Sequence, residues 1–331
     1  MPRLIASDHQ NTSDYIPILF GEYAQHLKNL FKKVETRSIH KGRVVDDDYD
    51  DMVYLNIMFG ITDFDCLFKI NEQIVPQFIL EFYSQFRLSY NKEGHMLVEF
   101  IIQNKFFSYT LKELGQILRI PIEVQCLFTN QWSLDKLTLG VPSEGCYQTD
   151  PPYPDQIKSY IQLEREEPLT RVYQGRTVYV EENQIITREV QPNMKTWVEI
   201  IRENAFCLSG NWDHHLAYLG HMLYCIACSM RHNLVFFIAK RMEFVRRQPR
   251  MILPYGMLLT RLYNYVMSNF LEFFGEQYVL YNCVMFPLAQ QHERKIQKDC
   301  GTKMGRHSTS ASSYSAFDYP SSSHHVDDVN D

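Results

Sequence analysis

Apolar residues recur with helical spacing along much of this chain. In "DYIPILFGEYAQHLKNLFKKVET" they fall at Ile16, Leu19, Phe20, Tyr23, Leu27, Leu30, Phe31 and Val34, the spacing of one helix face. Lys28, Lys32 and Lys33 sit in its last turns, where cations suit the negative end of the helix dipole. "NEQIVPQFILEFYSQFRL" predicts a second helix, with Pro76 in the first turn and Phe78, Ile79, Phe82 and Phe86 as its core stripe. The pattern then changes. In "HMLVEFIIQNKFFSY" strand-favouring residues flank a polar "QNK", which predicts a short hairpin. "TLKELGQILRIP" returns to helical spacing. Thr110 followed by Glu113 forms a capping box, Leu111, Leu114, Ile117 and Leu118 face the core, and Pro121 is the stop.

Residues 121–192 are less regular and look like an insertion between two helical halves. "PSEGCYQTDPPYPD" is turn chemistry, a helix is expected over 155–166, and "RVYQGRTVYVEE" predicts a second hairpin around Gln174–Gly175. From Met194 onward helices are expected near 194–205, 212–230, 233–247 and 255–274, with a shorter one over 276–297. The fold class that follows is mainly α, a multi-helix domain with one or two small β-hairpins. Its parts are a disordered start (1–13), an N-terminal helix and acidic loop (14–60), a helical domain (70–297) and a Ser-rich disordered tail (298–331). The loop "DDDYDD", Asp46 to Asp51, lacks EF-hand spacing and reads as solvated acid.

Composition narrows the class. Apolar residues make up 45% of 331 positions, enough for a large packed core. The net charge of -6 speaks against a globally cationic nucleic-acid coat, so any such contact needs a local patch. No run approaches the ~18 apolar residues of a membrane span, and the first residues lack the apolar centre of a signal peptide. With eight cysteines spread without tight spacing, free thiols and an intracellular, soluble protein are expected, nucleus and cytoplasm fitting equally.

The densest chemistry is "HHLAYLGHMLYCIACSMRH", His214 to His232, with four histidines and a C-x-x-C at Cys225 and Cys228. On one helix, His221, Cys225, Cys228 and His232 share a narrow stripe. Eleven residues of helix span roughly 16 Å, whereas the ligands of one zinc lie within ~2.0–2.3 Å of the ion. A straight helix therefore brings at most an adjacent pair to a metal. A zinc knuckle fails too: the spacing after Cys228 is wrong and Phe occupies position 237. A redox C-x-x-C wants a helix start rather than a helix body. The expectation is buried core, with no metal ligand, no cofactor and no catalytic residue.

"AKRMEFVRRQPR" carries Lys240, Arg241, Arg246, Arg247 and Arg250, the best candidate for phosphate contact. Its competitor is a helix C-terminus with cations on the dipole before Pro249. No phosphate-loop, dinucleotide, nucleophile-elbow or H-E-x-x-H motif occurs. Ser209 with His214 and His215 makes a triad only on paper.

The order of three segments carries a resemblance. "VPQFILEFYSQF", "LVEFIIQNKFFSYTLKELGQILRIP" and "LAYLGHMLYCIACSMRHNLVFFIAKRMEFVRRQPRMILPYGMLLTRLYNYVM" together resemble the plant transposon protein domain found in retrotransposon-derived reading frames. More distantly, the chain is similar to the plant mobile domain. The match covers about 70–290. It implies descent from a transposable element and supplies no catalytic residues. The expected function is a non-catalytic module acting through a protein partner or self-association. A weak nucleic-acid binder using Lys240 to Arg250 is the first alternative. A metal-dependent enzyme centred on His214 to His232 is the second.

Overall fold

A computed structural model describes residues 29–45, 55–102, 105–122, 125–143, 145–147, 149–165, 169–173, 176–208, 217–269 and 284–285. The acidic loop, the N-terminal helix before residue 29, His214, His215 and both ends expected to be disordered lie outside these residues. Among the described residues, no helix is long and apolar enough to cross a membrane.

Helices predominate, and a three-stranded sheet accompanies them. Helix α1 (Leu55–Ile61) is followed by α2 (Pro76–Gln85), which starts on Pro76 and buries Phe78, Ile79 and Phe82. The helical apolar spacing continues to Leu88, but the helix stops at Gln85, and Arg87–Tyr90 form strand β2 instead. β2 pairs antiparallel with β3 (Met96–Ile102), which pairs with β4 (Lys105–Thr110). The expected hairpin forms as β3–β4, and β2 extends it to a sheet of three strands. β3 buries Met96, Val98, Phe100 and Ile102 on one face, and Glu99 between them is buried as well. Phe100 meets Phe82 of α2 at 4.9 Å and its cross-strand neighbour Phe107 at 5.2 Å.

Helix α3 (Leu111–Leu118) begins with the expected box: Glu113 N–H donates to Thr110 Oγ1 at 3.2 Å, and Thr110 N–H donates to Glu113 Oε2 at 2.8 Å. It ends through Arg119 in the left-handed region, two residues before Pro121. Helix α4 (Pro154–Ile161) presents Ile157 and Ile161 to the core. Strands β5 (Thr170–Tyr173) and β6 (Arg176–Tyr179) pair across Gln174–Gly175 as predicted. The irregular segment is nevertheless part of the main core, to which it gives Leu127, Leu134, Ile157, Ile161 and Val190. Buried Glu189 ties it together, accepting from Arg165 at 2.6 and 2.8 Å.

Helix α5 (Lys195–Ile200) runs directly into a π turn, Ile201–Phe206. Helices α6 (Ala217–Ala227), α7 (Leu234–Arg247) and α8 (Gly256–Asn269) follow. In α6, Gly220 packs against Ile161 and Leu134, where a Cβ would meet both at ordinary contact distance. The N-terminal strip 37–45 adds to the same core rather than standing apart. Arg37 donates to Val245 O at 3.0 Å and Met251 O at 2.7 Å, closing the end of α7. His40 and Ser38 exchange backbone bonds with Leu253 at 2.7 and 2.8 Å. Strand β1 (Val44–Val45) pairs in parallel with β7 (Val284–Met285). That pairing corrects the helix expected over 276–297 at these two residues. Val284 is β-branched, a residue type that favours strand.

Candidate functional site

The Cys/His stretch does not form the straight helix that the spacing suggested. Helix α6 ends at Ala227. Ser229 takes φ 53°, in the left-handed region. Its N–H donates to Ile226 O at 3.1 Å, and the Met230 N–H donates to Cys225 O at 2.7 Å. This pair of bonds is a Schellman stop, made here with serine where glycine is usual. The chain then reverses. Asn233 caps α7, its Oδ1 accepting from Phe236 N–H at 2.9 Å, and its own N–H donates to Gln125 O at 2.9 Å. Between these two caps His232 is carried back beside α6. The argument from helix rise fails, because the helix ends before reaching it.

Three of the four stripe residues therefore meet. One ligating atom each from His221, Cys225 and His232 lies within 4.8 Å of the others, and all three residues are buried. The Cys225 sulfur stands 3.7 Å from His221 Nε2, as helix neighbours four apart should. The His221 and His232 rings meet edge to face at 5.4 Å. Cys228, one residue past the helix end, is half-buried and is not one of the three. Gln125 Oε1 lies 4.0 Å from the Cys225 sulfur.

Burial sets the charge states. It pushes His221 down to about 4 and the Cys225 thiol up to about 12. Burial, with His221 adding to it, drives His232 well below its ordinary value. Both imidazoles are thus neutral, the ligating form. Burial also raises the Tyr218 phenol well above its usual range, so it keeps its proton. Its hydroxyl hydrogen-bonds His232 Nε2. Whichever of the two donates, buried Nδ1 has no partner, and an orphaned buried polar group costs about 1–3 kcal/mol.

The basic run is dispersed by its helix. Arg241 is buried at 3% exposure and lies over the Phe244 ring at 5.7 Å. Arg246 donates to Tyr83 O at 3.2 Å. Lys240 and Arg247 both reach Glu243 at 2.7 Å. Arg250 is exposed past the helix end. The five cations do not form one phosphate-facing patch.

Two features escaped the sequence reading. One is a depression of about 400 Å³ lined by Lys112, Gly115, Gln116, Arg119, Ile120, Pro121 and Ile122; among the described residues its ionisable groups are Lys112 and Arg119. The other is a set of exposed apolar side chains on the 151–192 segment: Tyr153, Tyr160, Leu163 and Tyr179. Their signal was present in "PPYPDQIKSYIQLE", where Tyr160 and Leu163 fall off the Ile157–Ile161 stripe. Comparison with family models, with curated proteins and with solved structures gives no match.

Proposed function

We propose that this chain is a non-catalytic protein-interaction module of transposable-element descent. The observation that carries the reading is where its reactive groups sit. Most of the described histidines and cysteines, His40, His221, His232, Cys66, Cys126, Cys207 and Cys225, are buried, with His95 and Cys146 exposed and Cys228 half-buried, while Tyr153 and Tyr179 stand 77% and 76% exposed. General acid–base and nucleophilic catalysis need such groups within reach of a substrate. Exposed tyrosines are instead the side chains that protein interfaces favour. The order helix, sheet, capped helix, then helical block over 76–269 supports the descent, since it is the pattern of the family the sequence resembles.

A weak nucleic-acid module is the poorer reading, given how Lys240, Arg241, Arg246 and Arg247 are engaged. The test is a photo-crosslinking residue placed singly at position 153, 179 or, as a control, at exposed Lys92. Protein adducts at 153 and 179 and none at 92 are expected, with a second copy of the chain counted as a protein partner. Equal adducts at all three positions, or adducts to nucleic acid alone, would overturn the proposal.

A further inference from the structure

The geometry points to a structural metal site: His221, Cys225 and His232 bind one zinc ion inside the α6–α7 corner. The inference is independent of the interaction surface proposed above. Zinc takes thiolate sulfur at about 2.3 Å and imidazole nitrogen at about 2.0–2.1 Å. Tetrahedral angles then put sulfur and nitrogen about 3.6 Å apart, and the Cys225–His221 separation is 3.7 Å. The widest separation in the trio is no more than 4.8 Å, which closes to tetrahedral spacing by small side-chain rotations.

Two further observations select a metal over an ordinary core cluster. The first is the unpartnered His232 Nδ1, on a residue 2% exposed. If Nδ1 ligates, the imidazole proton lies on Nε2, which then donates to Tyr218 Oη. Histidine ligands are commonly oriented by such a bond from their other nitrogen. The second is the composition of the trio. It contains no carboxylate, so soft and borderline ions are favoured over calcium or magnesium. Cys225 loses its thiol proton to solvent on binding. The fourth position falls to Gln125 Oε1 or a water. The site is enclosed, so the ion acts as a staple between α6 and the chain returning at His232.

The experiment uses the full chain. Metal content is measured after purification without chelators, and cobalt(II) is titrated into chelator-stripped protein. Zinc near one equivalent is expected, together with tetrahedral cobalt bands and a thiolate charge-transfer absorption. Cys225→Ser should lose that absorption, and Cys228→Ala should keep it. Stripping the zinc should lower the melting temperature of the wild type, and readdition should restore it. If Cys225→Ser does not fold, X-ray absorption at the zinc edge of the wild type decides: one sulfur with two imidazoles is expected. A folded wild type that takes up neither ion overturns the site. So does a shell of several sulfurs or none, or cobalt charge transfer that persists in Cys225→Ser.

Discussion

Asn204 grips the main chain of Arg43 from both sides. Its Oδ1 accepts from the Arg43 N–H at 2.9 Å, and its Nδ2 donates to the Arg43 carbonyl at 2.9 Å. The same Nδ2 also donates to Leu67 O at 2.9 Å. One buried amide thereby joins the N-terminal strip, the start of the core and the π turn. Asn204→Ala leaves three backbone groups without this partner and should lower unfolding free energy by about 2–4 kcal/mol. Urea denaturation reads the loss, and hydrogen exchange should show the Arg43 amide losing protection first.

The Schellman stop at Ser229 holds a non-glycine residue at φ 53°. Ser229 is exposed, so its side chain contributes little packing. Ser229→Gly should stabilise by up to about 1 kcal/mol, because glycine takes the left-handed region without steric cost. Ser229→Val should destabilise by at least as much. Thermal unfolding of both variants tests the cap, and the opposite order would show that the corner is held by something else.

Acid should act through His40. Burial, then Arg43 and Arg241, push its imidazole from 6.5 down to about 4, while its Nδ1 accepts from the Gly42 N–H at 3.0 Å. The unfolded chain binds this proton first. The contribution to stability is therefore full above pH 6.5 and is lost as the pH falls toward 4, at up to about 1.4 kcal/mol per pH unit. Glu203, raised chiefly by burial, contributes with the opposite sign, stabilising more at low pH. Comparing wild type with His40→Gln isolates the histidine. The stability difference between them should shift in favour of the variant between pH 6.5 and 4, and a difference that is flat across that window would rule the effect out.

The basic run yields a contrast. Replacing Arg246, Arg247 and Arg250 with Gln should leave retention on DNA or RNA, and its salt dependence, unchanged. Phosphate contacts would each lower the log–log salt slope by about 0.7–0.9. Arg241→Gln should instead cost stability, by about 1–3 kcal/mol, because it removes a buried side chain packed over Phe244. Salt-sensitive retention that falls with the triple substitution would return the nucleic-acid reading to first place.

What could be read from the chain was local. The Thr110–Glu113 box, the Pro76 start, the pairing of β5 with β6 and the α7 end near Pro249 each depend on residues a few positions apart. Strand β2 was missed because Arg87 to Tyr90 find their partners across a turn, while their apolar spacing continues that of α2. The site was missed for one reason. No glycine marks the stop after Ala227, so the pattern runs on as helix, and the place of His232 depends wholly on that stop. The cations at 240–250 are close in sequence, but successive residues of a helix point in different directions. Arg241 falls on the inward side with Met242 and Val245.

A π turn is an α-helix that has taken in one extra residue. Deleting one residue between Ile201 and Phe206 would leave a helix of ordinary pitch, with its apolar face nearly intact. The flanking residues would keep their direction, while those inside the turn, Glu203 and Asn204 among them, would lose the extra width that sets where they point. Asn204 could then no longer face Arg43, nor could Glu203 keep its oxygen 3.4 Å from the Arg43 side chain. The anchoring of the N-terminal strip thus depends on a single surplus residue in a helix to which the strip does not belong.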